Sequence, residues 1–261
     1  MRVYLLSHTA QPERIVAAAA KLCYADTGAD ALLEGLTPEK TAQFVSMLSS
    51  LGHESPIEHA SFTFAVEGVS RSLLAQLTRH RIASYSVQSQ RYVRLDDFRY
   101  VTPPAIAENE RARALYEETM RRDAAAYEEL TELLKAQYIK EEATDAADEK
   151  AKRAAAARAE KRAIEDARFV LPNACETRLV MTMNARELRS FFKQRCCRRA
   201  QWEIRALADE MLRIVSAAAP SLFENAGPAC VSGPCPEGRM CCGETERVRA
   251  HYKKLNEVAN Q

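Results

Sequence analysis

No stretch of this 261-residue sequence stays apolar long enough to cross a bilayer, because charge interrupts every apolar segment. The N-terminal MRVYLLSHTAQPER has too short an apolar run for a signal peptide and reads instead as a first strand. An excess of one charge is also missing. With 37 Lys and Arg against 36 Asp and Glu, the net charge of +1 argues against a nucleic-acid coat protein or a polybasic membrane anchor, though local basic patches remain possible. Without a secretory signal, the eight cysteines are expected to be reduced thiols in a cytoplasmic protein that has no membrane or nucleic-acid partner.

What is present is mostly helical pattern. Residues 2–7 form a short apolar strand, and Pro12 stands at a helix start where its missing N–H is harmless. Thr37-Pro38 repeats that signal, and the helix it opens should stop at Gly52. The run His53-Glu54-Ser55-Pro56-Ile57-Glu58-His59 reads as a loop. From Ser61 to Glu67, Phe62, Phe64 and Val66 alternate with polar residues, the clearest strand in the chain, and Gly68 should break it. Ser70 can cap the next helix, near whose end Gln76, Arg79 and His80 should face a common site. The polar run from Ser84 to Gln90 is a predicted loop or irregular strand.

Between about Asn109 and Phe169 lies a long, charged, alanine-rich helical region. Its middle, ATDAADEKAKRAAAARAEKRA, has almost no large apolar residues, which predicts a solvated helical hairpin or weak packing. A second strand pair is expected at 169–171 and 177–183. Asn184 and Glu187 have capping-box spacing, and the helix they open should run, with room for a kink, close to Ala219-Pro220. The fold class expected is a single α+β domain over 1–261, heavily helical with a small antiparallel sheet. It carries a charged alanine-rich insertion at about 140–163 and a Cys/Gly/Pro-rich segment at 226–243.

The densest chemical signal is RHRIASYSVQSQRY at 79–92. Arginine forks pair bidentately with phosphate and hydroxyls add short hydrogen bonds, so an anionic ligand suits the segment, as would a plain solvated basic loop. The run resembles the signature of the flavin-dependent thymidylate synthases, whose invariant positions fall on Arg79, His80, Arg81, Ser84, Ser89, Arg91 and Tyr92. GHESPIEHA from Gly52, FVLP at 169–172, MNARELRSFF and RAQWEIR at 199–205 are similar to family blocks in the expected order.

The resemblance implies an enzyme, a methyltransferase making dTMP from dUMP. Its carbon donor would be 5,10-methylenetetrahydrofolate and its reductant NADPH, acting through FAD, with release of tetrahydrofolate. It also implies a homotetramer with shared active sites. FAD would lie against His53, Ser55, Arg79, His80, Arg81 and Val87, with Asn184, Ala185, Arg186 and Ser190. The nucleotide would be held by Gln76, Leu77, Thr78, Arg79, Val87, Gln88, Ser89, Gln90, Arg91, Arg168 and Arg195. Arg195 matches the arginine that promotes ionisation of the uracil ring, the catalytic role. Val87 stands where some relatives carry Glu or Gln, and Ser190 where some carry Asn, which points to altered affinity rather than lost activity.

Other readings stay open on the residues themselves. His53 could be a simple loop histidine, and Arg168 and Arg195 ordinary helix arginines. Ser89 has no local acid–histidine pair to activate it as a nucleophile. Cys230, Cys235 and Cys241 or Cys242, with Cys196 or Cys197, could supply four thiolates for zinc, but the spacing is looser than C-x₂-C. Free thiols and no metal are therefore the expectation. A nucleic-acid-binding module using the basic loop and a helical scaffold protein are the rival functions.

Overall fold

The computed structural model describes residues 1–142 and 148–259. It is helix-rich α+β with a small antiparallel sheet of four strands in the order β1-β2-β4-β3. The chain forms two compact units, Met1–Glu67 with Ala75–Ser86 and Leu179–Gln261, and Gly68–Leu74 with Val87–Arg178.

The first unit opens with β1 (Arg2–His8), which pairs antiparallel with β2 (Ser61–Ser70) in a register that sets Arg2 opposite Glu67. Helix α1 (Pro12–Leu22) starts on its proline, a short α2 (Ala29–Glu34) follows, and α3 (Pro38–Leu51) is capped by Thr37, whose hydroxyl accepts from Lys40 N. Helix α3 stops at Gly52, whose φ of 74° is open to glycine at little cost. Part of the expected loop after it tightens into a 3₁₀ turn at Pro56–His59. The core here is aromatic: Phe62, Phe64, Phe191, Phe192 and Phe223 are fully buried. The Phe62–Phe223, Phe191–Phe192 and Phe192–Phe223 rings meet edge-on at 5.5–6.0 Å, and burying each such ring contributes roughly 1.5–3 kcal/mol.

Gly68 does not end β2. It sits within the strand at φ 71°, and the strand continues to Ser70. A glycine at positive φ lets a strand bend where another residue would stop it. Ser70 Oγ then accepts from Leu73 N at the start of α4 (Arg71–Leu77). The polar run after it is a regular strand at β3 (Ala83–Val87) and irregular only beyond.

In the second unit, α5 (Pro104–Ala107) leads to α6 (Glu110–Glu142), and α7 (Glu149–Ala167) packs back along α6. The expected helical hairpin forms with a largely solvated face, and only the weak-packing reading is corrected for its described part. Ala155, Ala159 and Ala163 are buried at four-residue spacing on one stripe, because a methyl-only face lets two helices approach closely. Ion pairs line the seam: Arg158 and Arg162 reach Glu142, and Lys135 reaches Glu160. Residues 143–147 of the expected insertion lie outside the described residues. A second core joins Phe98, Met120 and Cys175 with Tyr100, Tyr116 and Leu171. The expected strand at 169–171 is instead a 3₁₀ turn at Arg168–Val170, followed by Leu171-Pro172 in extended chain.

Strand β4 (Glu176–Asn184) runs directly into α8 (Ala185–Arg195), capped by Asn184 Oδ1 at Glu187 N, 2.8 Å. The single long helix expected beyond it is two helices. Gln201 starts α9 (Trp202–Ala218) by accepting from the amides of Glu203 and Ile204. A short α10 (Pro220–Phe223) and α11 (Thr245–Ala259) complete the chain. Among the described residues, no helix is long and apolar enough to cross a membrane.

Candidate active site

In the first unit, His80 bridges residues at the two ends of α8, Glu187 and Arg195. At its start, Glu187 does not return to the amide of Asn184 as a capping box would have it. Its carboxylate instead meets His80 Nδ1 at 3.1 Å. The other ring nitrogen, Nε2, faces Arg195 Nε at 3.1 Å. A guanidinium nitrogen can only donate, so Nε2 must accept, and the imidazole is neutral with its proton on Nδ1, pointed at Glu187. Burial pushes the His80 pKa below its ordinary value, opposed by the Glu187 hydrogen bond and reinforced by the Arg195 charge. The ring is 6% exposed and packs edge-on against Phe191 at 4.9 Å. The backbone beneath it is held by Tyr85, whose hydroxyl donates toward the carbonyls of Leu77 and His80. Burial pushes that hydroxyl's pKa up to about 12, so it stays a donor.

Arg195, at the last turn of α8, is thereby held by a buried neutral acceptor. Burial lowers its pKa, and so does the nearby charge of Arg79. It lines one cavity of about 400 Å³ together with Lys193 and Arg199. A second cavity, of about 380 Å³, opens at the start of the helix between Asn184, Arg186, Ser190, Lys193 and the largely exposed Ile82. Arg186 pairs there with Glu58 and Glu54. Arg79 and Arg81 are exposed, and neither has an ion-pair partner among the described residues. His53 and Ser55 are exposed on the loop after α3. Leu77 and Ala185 are fully buried, so their side chains have no open face. Gln76 is half-buried and Thr78 exposed.

The second unit holds the rest. Val87 closes β3, and the Gln88 amide donates to the Arg178 carbonyl at 3.0 Å. Ser89 Oγ accepts from Arg91 N at 3.1 Å, a turn-forming contact that needs no activation. Gln90 Nε2 donates to Cys175 Sγ at 3.7 Å. Arg91 and Arg168, far apart in sequence, meet at one residue. Arg91 pairs with the Glu165 carboxylate at 3.2 Å, and Arg168 Nε donates to the Glu165 carbonyl at 3.1 Å. Both arginines are thus anchored at Glu165, one on its carboxylate and one on its backbone.

Three residues escape the sequence reading. Arg71 donates to the Gln88 carbonyl at 3.0 Å and keeps a buried Nε that has no hydrogen-bond partner among the described residues. Burial lowers its pKa; Cys175 raises it and Arg168 lowers it further. Glu165 was hidden in a charged run, and Glu187 was legible only as a cap. No local signal marks any of them, since each role depends on a partner brought in by the fold.

Comparison with known proteins agrees over nearly the full length. The family model described as "Thymidylate synthase complementing protein" matches residues 4–221. The chain is 53% identical over 252 residues to a flavin-dependent thymidylate synthase of Clostridium tetani, covering 97% of each. It is 48% identical over 258 residues to one of Geobacter sulfurreducens, covering 98% of this chain and all of the relative. An enzyme of the same name from Pyrococcus abyssi is 36% identical over 263 residues, 98% of each chain.

Proposed function

The chain belongs to the flavin-dependent thymidylate synthase family, and on that premise we propose that it converts dUMP to dTMP. The carbon donor is 5,10-methylenetetrahydrofolate and the reductant NADPH, acting through FAD. In balance, dUMP, methylenetetrahydrofolate, NADPH and a proton give dTMP, tetrahydrofolate and NADP⁺. One carbon moves, and two electrons reduce it to a methyl group.

The observation that carries this reading is the Glu187–His80–Arg195 chain. Arg195 is oriented before substrate arrives, so it can meet negative charge developing on the pyrimidine without reorganising. The neutral imidazole holds the guanidinium Nε and leaves its terminal nitrogens to a ligand. Arg91 and Arg168, steadied at Glu165, suit the 5′-phosphate, while Ser89, Gln88 and Gln90 supply shorter polar contacts. Gln76, Leu77, Thr78 and Val87 complete this proposed substrate set, the buried Leu77 through its backbone.

The donor set around the start of α8 fits a flavin. Asn184, Ser190, Arg186 and Lys193 line a cavity whose remaining wall includes the exposed apolar side chain of Ile82, a mix suited to a flat ring with a polar edge. Arg79 and Arg81, beside Ile82 in sequence, have the charge for the diphosphate, and His53, Ser55, Val87 and Ala185 are the further proposed contacts. FAD, when bound, supplies the hydride that no side chain here can. An anion approaching Arg186 must compete with Glu54 and Glu58, so the less encumbered arginines are the stronger phosphate ligands.

Large exposed apolar side chains, Leu115, Leu133 and Phe169, support a homotetramer in which other copies cover them. A cytoplasmic location and a single catalytic domain over 1–261 complete the reading. The test is a purified, flavin-reconstituted sample given dUMP, methylenetetrahydrofolate and NADPH. Formation of dTMP is expected; a folded sample that oxidises NADPH but never yields dTMP would end the assignment.

A further inference from the structure

Four cysteines that the proposed reaction does not use come together beyond the end of α8. Cys197 lies two residues past Arg195 and shares one cavity wall with Cys230 and Cys235. Cys241 lies near Cys235, each thiol perturbing the other's titration. Thiols from three separate stretches of chain are thus neighbours.

The backbone distinguishes this from a chance grouping. Gly243 N–H donates to Cys241 Sγ at 3.4 Å, so the amide two residues on is aimed at the sulfur. The loop turns at glycines of positive φ, Gly238 at 51° and Gly243 at 75°. Amides aimed at a sulfur stabilise its thiolate, the form that ligates metal. Arginines tie the loop down. Arg249 donates to the carbonyls of Cys230 and Gly233, and Arg199 to that of Met240.

We propose that Cys197, Cys230, Cys235 and Cys241 form a tetrathiolate site for a structural zinc ion, which clamps the 226–243 segment onto the end of α8. Among the described residues, no three ligating side chains already converge on one point. Binding must therefore draw the sulfurs in toward the ~2.3 Å zinc–sulfur distance. The segment that moves is loop apart from the 3₁₀ turn Gly238–Met240, so no α-helix or strand need break. Cys196 takes no part. Its side chain is buried, and its carbonyl is held by the Tyr252 hydroxyl, which also reaches Asp209.

The test uses full-length protein purified under reducing conditions without chelator. Metal analysis should find about one zinc per chain. After chelation, cobalt(II) should bind and give an intense thiolate-to-metal charge-transfer band in the near ultraviolet. Cys235→Ser and Cys241→Ser should each lose most of that band, and Cys23→Ser should keep it. Chelation should also lower Tm, and added zinc should restore it. If the serine variants do not fold, metal content and the cobalt spectrum of the unmutated chain still decide. Reduced, folded protein without zinc and without a cobalt band overturns the proposal. An intact mass short of two hydrogens that reductant restores overturns it too, in favour of a Cys235–Cys241 disulfide. None of these readouts depends on thymidylate synthesis.

Discussion

Arg195 and His80 show how much one side chain's role depends on its neighbour. Alone, Arg195 is a half-buried cation on a helix end. Joined to a neutral imidazole that Glu187 holds in one tautomer, it becomes an oriented donor. Arg195→Ala should lower dTMP formation about 10²–10³-fold, the size typical of losing one charge-stabilising donor, while NADPH-driven flavin reduction changes far less. Arg195→Lys should recover only part, because a point charge lacks the planar fork. Equal loss in both half-reactions would make Arg195 structural. The same chain predicts a pH effect. Burial sets the folded His80 pKa below its ordinary 6.5, so between the two values the unfolded chain holds more protons. The stability contribution is complete above about pH 6.5 and is lost as pH falls toward the folded pKa. Urea midpoints at neutral and mildly acid pH should therefore fall further in the parent chain than in His80→Gln. Equal falls would clear His80 as the cause.

The elements most legible in sequence are those set by their own residues: the Thr37 and Asn184 caps, the Gly52 stop and the alternation in β2. Their signals are local hydrogen bonds or local periodicity, so they need no distant partner. The misread ones depend on packing. A weakly packed α7 would gain from a better helix former at an alanine, whereas the buried stripe should not. Ala159 is fully buried, so Ala159→Leu should destabilise by about 1–3 kcal/mol through overpacking. Denaturant titration checks this, and a neutral or stabilising result would restore the weak-packing reading. The break between α8 and α9 follows from Gln201, which accepts two amide hydrogens. Gln201→Ala should cost about 1 kcal/mol, read as a lower midpoint in the same titration.

For the whole molecule, the proposed tetramer makes a direct prediction. Light scattering should give a mass near four chains, and Phe169→Asp, which puts charge on a largely exposed apolar residue, should shift it toward smaller species while helix content stays unchanged. A monomeric parent chain that still makes dTMP would overturn the shared-site reading. The family and the α+β class were legible along the chain, because the RHR…S…RY run and the flanking blocks keep a fixed order. So were most caps, whose donors and acceptors lie three or four residues apart. What each charge faces depends on the folded chain. Glu165 gathers Arg91 and Arg168, Glu187 turns from its helix cap to His80, and Arg71 reaches the Gln88 carbonyl. Composition marks these residues only as charged. Their partners are set by through-space approach, with burial raising the cost of an unpaired charge, and neither can be read from spacing along the chain.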